Sequence, residues 1–274
     1  MRRLCLFLLT ASGVVAAPEE SFQEKSWAQL SSREVSDWGK TALGIDAKKW
    51  KHGETDHFII HYFRNGEKIG RRSELFYAEI AAFFGNRPDR LAGRKSQVFA
   101  FHDDEDWKQF RTAIQQPWIG GVTRGDEFFY LSASETGAFD SKGKVQAHEM
   151  THLIFNRFFT GRPPLWLNEG IAEYFGLIKT TGKSDFRRLM EMTPPVPLTQ
   201  LFAAESYPQD VRAFYAESAI VVDFLTRTDE RAKLLPKFVD AMIERNDVAA
   251  ALKIYGYKNL PDFEKAYGQY RKHF

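Results

Sequence analysis

Cysteine is almost absent from this sequence: the 274-residue chain has one, Cys5. A chain with no second cysteine has no disulfide framework, no cysteine-rich metal cluster and no dithiol redox centre. An excess of one charge sign is lacking too. The 38 Lys and Arg residues are nearly matched by 36 Asp and Glu. That balance removes the electrostatic footprint of a nucleic-acid binder, and no nucleic-acid partner is expected. No apolar run reaches the ~20 residues that span a bilayer. Internal repeats and low-complexity stretches are missing, which excludes solenoids and compositionally biased tails.

The longest apolar run, Leu4 to Ala16, has the flanks of an export signal, with Arg2 and Arg3 before it and Val15-Ala16-Ala17 closing it. Residues 1–17 are therefore expected to be a signal peptide, and the protein to be exported to the periplasm or the extracellular medium. Removal of that segment takes away Cys5, Arg2 and Arg3. The mature chain would then carry 36 basic and 36 acidic residues, no thiolate ligand and no membrane span.

What remains has the apolar and aromatic content of a globular protein. Residues 18–50 are polar with scattered apolar positions and are expected to form a helical lead-in or pro-like segment packed loosely on the rest. From His57 to Phe63, β-branched and aromatic residues predict a strand ended by Asn65-Gly66. Ser73 to Phe84 has helical spacing, Ser96 to Phe101 reads as a strand, and Trp107 to Ile114 as a helix. Gly120 to Arg124 and Glu127 to Leu131 predict two short strands around a Gly125-Asp126 turn. Residues 51–139 thus form an N-terminal α/β lobe. Asp140 or Ser141 is expected to cap a helix that runs to Phe159 and is stopped by Gly161 and Pro163-Pro164. Residues 140–180 would be a helical hairpin, its second helix starting near Leu165. Residues 181–274 would be a helical C-terminal lobe, with helices at 217–225, 234–243 and 260–274. The predicted fold class is α+β: a sheet-bearing lobe, then a mainly helical one, with the helix that carries the chemistry between them.

That helix contains His148-Glu149-Met150-Thr151-His152. Histidines four apart on a helix project from one face, where two neutral imidazoles can share one Zn²⁺. Glu149, offset by one residue, stands beside the ion as a base for a metal-activated water. A catalytic zinc site needs a third protein ligand, and Glu169 on the second helix of the hairpin is the candidate. Glu173, one turn later, can accept the outer N–H of a ligand histidine and fix its ring. A surface helix with two solvated histidines is the plainer alternative. The carboxylates at 169 and 173 argue against it.

Together with Leu165-Trp166-Leu167-Asn168-Glu169-Gly170-Ile171-Ala172-Glu173-Tyr174-Phe175, this motif resembles the gluzincin zinc metallopeptidases, in particular a short bacterial branch. The specific match covers residues 148–175. The resemblance implies a two-lobed gluzincin-like fold, His148, His152 and Glu169 as zinc ligands, Glu149 as general base and Glu173 in support. It further implies that Tyr215, in the segment Tyr215 to Leu225, hydrogen-bonds the oxyanion. Tyr207 is the substitute, and Tyr215 would then simply anchor its helix. The substrate implied is a peptide or protein lying in an interlobe cleft. Two other functions stay open: hydrolysis of a cell-wall or other non-peptide amide, and a non-catalytic zinc-containing binding role.

The sequence departs from the resemblance at one place. The Gly-x-Met-Glu-Asn segment with which aminopeptidases hold a free amino group is absent. Gly120-Gly121-Val122-Thr123-Arg124 occupies the comparable place, either as an edge strand for an extended peptide or as structural turn glycines. His57 and His61 also stand four apart, but a strand separates them by roughly 13 Å, too far to chelate one ion. His102 with Asp103 to Asp106 reads as a helix-capping acidic loop, since the spacing of a calcium loop is missing. Arg124 and Arg162 are cations that could clamp a substrate carboxylate.

Overall fold

Alternation along the strands decides which residues face which layer. Three parallel strands form the centre of a six-stranded sheet ordered β1-β2-β3-β4-β6-β5. They are β3 (Phe58–Tyr62), β4 (Ser96–Phe101) and β6 (Glu127–Leu131). The computed structural model describes residues 22–272 except 117–119, 133–142, 181, 183, 185, 188–190 and 192. The expected signal peptide and the expected caps Asp140 and Ser141 lie outside the described residues. No described helix is long and apolar enough to cross a membrane.

All five positions of β3 and β6 are buried, as in strands covered on both faces. Phe58, Ile60, Tyr62, Val98, Ala100, Phe128 and Tyr130 point into the larger core. The intervening Phe99, Phe101, Phe129 and Leu131 join a smaller core on the other face. The first face is covered by α2 (Gly66–Phe83) and α4 (Lys144–Phe158). The second is covered by α1 (Asp37–Gly44) and α3 (Asp104–Ala113). Asp103 caps α3 by accepting from the Glu105 amide, so the acidic run after His102 is a helix start.

The lead-in is not a loosely packed helical segment. Gln23–Lys25 is strand β1, paired antiparallel with β2 (Lys51–Glu54), and only 37–44 is α-helical within residues 22–50. Leu30, Ala42, Ile45 and Trp50 are buried, and Ser36 donates from its backbone N–H and its hydroxyl to the Glu127 carboxylate on β6. β1 also lies at the sheet edge opposite β5 (Gly121–Arg124).

The larger core runs on without interruption into the helical lobe. Helix α5 (Leu165–Glu173) passes into a π-helical turn, Tyr174–Lys179. After it come α6 (Leu198–Phe202), α7 (Val211–Leu225), α8 (Asp229–Ala232), α9 (Leu235–Arg245), α10 (Val248–Leu252) and α11 (Leu260–Lys272). Helix α4 packs on β5 and β6 on one side and on α5 and the π turn on the other. It is the element shared by sheet and helices. The fold is α+β, with this helix between its two parts.

Candidate metal centre

The hairpin of α4 and α5 faces two histidines with one carboxylate. His148 Nε2 and His152 Nε2 are 3.2 Å apart. Glu169 Oε2 lies 3.5 Å from the first and 3.6 Å from the second. Donors ~2.0–2.1 Å from a common tetrahedral ion would stand about 3.4 Å from one another. His148, His152 and Glu169 are the metal-capable cluster of the described residues. A site of two imidazoles and one carboxylate suits zinc.

Glu169 reaches this position because α5 lies close against α7. A Cβ placed on Gly170 would stand 2.6 Å from the Ser218 carbonyl oxygen of α7. The glycine in Asn168-Glu169-Gly170 is therefore the contact point of two helices, and any side chain there would push the candidate ligand away. Glu173 follows one turn later and puts Oε1 3.2 Å from His148 Nδ1. Its buried Oε2 meets no hydrogen-bond donor among the described residues. A buried carboxylate in that state needs positive charge nearby, and an ion held on the far nitrogen of His148 would supply it through the imidazole.

Electrostatics without the ion agree. Burial works against a charged His148, but the hydrogen bonds to Glu169 and Glu173 outweigh it and raise its pKa well above the usual histidine value. Burial would likewise raise Glu169 and Glu173. The imidazoles instead hold both below the ordinary carboxylate range. The two carboxylates are thereby held ionised against the imidazoles.

Glu149, on the same helix, is held by the sheet. Thr123 Oγ1 on β5 lies 2.9 Å from Glu149 Oε2 and 3.0 Å from the Glu149 carbonyl. Gly121, two residues earlier and so on the same face of the strand, would place a Cβ 2.7 Å from Glu149 Cγ. One position supplies room and the other a donor. Asn156 Nδ2 also reaches the Gly125 carbonyl, tying the β5–β6 turn to α4. The sequence marked β5 as an edge strand or a pair of turn glycines. Its period of two contained the cradle for Glu149, but nothing in the sequence showed which face met α4.

The two tyrosines are both near. Tyr215 on α7 has its ring centroid 6.1 Å from that of His148. Tyr207, in the segment before α7, packs edge-on against Tyr215 at 6.0 Å and directs its hydroxyl to Glu169 Oε1 at 2.9 Å. Burial, then the charge of Glu169, pushes both phenols above their ordinary pKa.

Other attractive residues are engaged with different partners or exposed. His57 bonds Glu74 at 2.7 Å and stacks on Tyr77, while His61 bonds His52 and Gln97. Arg124 lies over the Trp38 ring, 4.6 Å from its centroid. Arg162 is exposed.

No family model matches the chain, and no curated protein matches it. Among solved structures it is similar to a two-domain M1 zinc metallopeptidase, in a mutant form bound to L-arginine. Identity is 16% and the TM-score 0.49, over 80% of this chain and 48% of that one. The chain thus spans about half the length of that protein.

Proposed function

We propose that this protein is an exported zinc peptidase of gluzincin type, with His148, His152 and Glu169 as ligands and Glu149 as general base. The observation that carries the reading is the convergence of three donors at 3.2–3.6 Å beside a carboxylate anchored to a sheet edge. Zinc, when bound, supplies Lewis acidity toward water and a carbonyl oxygen.

The chain's own residues do the rest. Glu149 takes the proton of the attacking water and hands it to the departing amine. The Thr123 hydroxyl keeps Oε2 of that carboxylate oriented. Tyr215 donates to the oxyanion that develops at the carbonyl, and Glu173 holds the His148 ring through Nδ1. The outer edge of β5, the last strand of the sheet among the described residues, offers backbone groups for an extended peptide alongside Glu149.

The test is digestion of a diverse peptide library by the zinc-loaded protein beside its Glu149→Gln variant. The variant should keep its zinc and lose turnover by at least ~10³-fold, because it retains the ligands but has no base. Cleavage by both proteins would remove Glu149 from the mechanism. Zinc bound without cleavage by either would move the substrate to a non-peptide amide or leave a binding role.

A further inference from the structure

We infer that Tyr207 is a positioning residue of the metal centre: its hydroxyl ties one oxygen of Glu169 away from the histidines, so that the carboxylate presents a single oxygen to the ion. The inference rests on the reading of His148, His152 and Glu169 as a metal site.

The two oxygens of Glu169 live in different surroundings. Oε1 accepts from Tyr207 Oη at 2.9 Å and from Asn168 Nδ2 at 3.3 Å. Oε2 faces the two imidazoles at 3.5 and 3.6 Å. Hydrogen-bond donors thus claim one oxygen and leave the other to the metal side. A carboxylate free to turn could bind through both oxygens and take up a further coordination position. A catalytic zinc site keeps that position open.

Tyr207 is well made for this task and poorly explained by packing. It is 53% exposed, among the few large hydrophobic side chains at the surface. Residues 205–212 around it are all exposed. An exposed aromatic ring whose hydroxyl turns inward onto a buried carboxylate contributes little to a core. Pro208 follows directly and restricts the Tyr207 backbone to extended conformations, which lowers the entropy lost in holding the side chain. Tyr215 braces the ring from the side. The segment between α6 and α7 therefore reaches the metal centre through the Tyr207 hydroxyl.

The experiment is Tyr207→Phe, read by zinc affinity in a chelator competition and by the visible spectrum of the cobalt(II)-substituted protein. Zinc affinity should weaken about 10-fold, the lower end of the range for partners that orient metal ligands. The cobalt bands should lose intensity as Glu169 rotates to offer both oxygens and the four-coordinate site becomes five-coordinate. The metal-free variant should keep the wild-type fold and melt only slightly below it, since the ring stays in place and a single hydrogen bond to Glu169 is lost. Wild-type affinity and an unchanged cobalt spectrum in the variant would overturn the inference while leaving the metal site standing. A wild type that takes up neither zinc nor cobalt overturns the metal reading, and this one with it.

Discussion

Among the described residues, two histidine pairs bring ring nitrogens into contact, and only one of these pairs is suited to a metal. Across β2 and β3, His52 Nδ1 and His61 Nδ1 are 2.8 Å apart. On α4, His148 Nε2 and His152 Nε2 are 3.2 Å apart. At the sheet pair, the Gln97 amide nitrogen donates to the Glu34 carbonyl, so its oxygen faces His61 Nε2 at 2.8 Å. That network assigns the proton to Nε2, leaves Nδ1 as acceptor and makes His52 Nδ1–H the donor. Every nitrogen of His61 is satisfied by a neutral partner. At the helix pair, His148 Nδ1 faces the Glu173 carboxylate, and its Nε2 meets His152 and Glu169. Acceptors there outnumber protons. Two close histidines do not make a metal site; the carboxylates around them do.

The largest effect that can test this contrast is on metal content. His152→Ala should take zinc from one per chain to none, and His52→Ala should leave it at one, measured by elemental analysis after dialysis. His61→Ala should instead cost about 2–4 kcal/mol of stability in urea, because it opens a cavity and strands both Gln97 and His52. Zinc lost from both the helix and the sheet variants, or from neither, would erase the distinction.

The same contrast explains what was legible beforehand. His148, His152, Glu169 and Glu173 all lie on regular helices, where spacing alone places side chains on a face. The 96–101 and 127–131 strands were legible for the same reason, since β-branched and aromatic runs bounded by turns read directly. β2 was not, because Lys51-His52-Gly53-Glu54 has no strand composition and forms only through its pairing with β1 and β3. The front of α2 was hidden by Gly66 and Gly70, both poor helix formers. The lead-in misled because its few apolar positions are scattered, and its burial depends on a sheet that residues 96–131 build later. The Tyr207–Glu169 bond spans 38 positions, and no local pattern reports a contact of that range.

A smaller effect probes the neighbour that the helix pair has and the sheet pair lacks, the β5 edge. Thr123→Val keeps the shape of the side chain and removes the donor to Glu149. Turnover should fall about 10-fold, with KM and zinc content unchanged, because a neutral-to-charged hydrogen bond of about 1.5 kcal/mol orients the base. Thr123→Ser should restore it. Equal losses in the Val and Ser variants would mean that the residue matters through packing and not through its hydroxyl.

The most gradual effect is a pH slope that belongs to the sheet pair. Burial lowers His52 and pushes His61 down to about 3 from the ordinary 6.5, with Phe99 stacked on the His61 ring and Trp27 against both imidazoles. Between those two values the unfolded chain binds a proton at His61 that the folded chain refuses. Stability from this residue is therefore complete above about pH 6.5 and declines as pH falls toward 3, by at most ~1.4 kcal/mol per pH unit. His61→Gln keeps an amide donor and acceptor but does not titrate. The stability difference between wild type and that variant should narrow steadily from pH 7 to pH 5 in urea unfolding, while contributions common to both proteins cancel. A difference that stays constant across this range would mean that His61 takes up its proton in the folded protein as readily as in the unfolded chain.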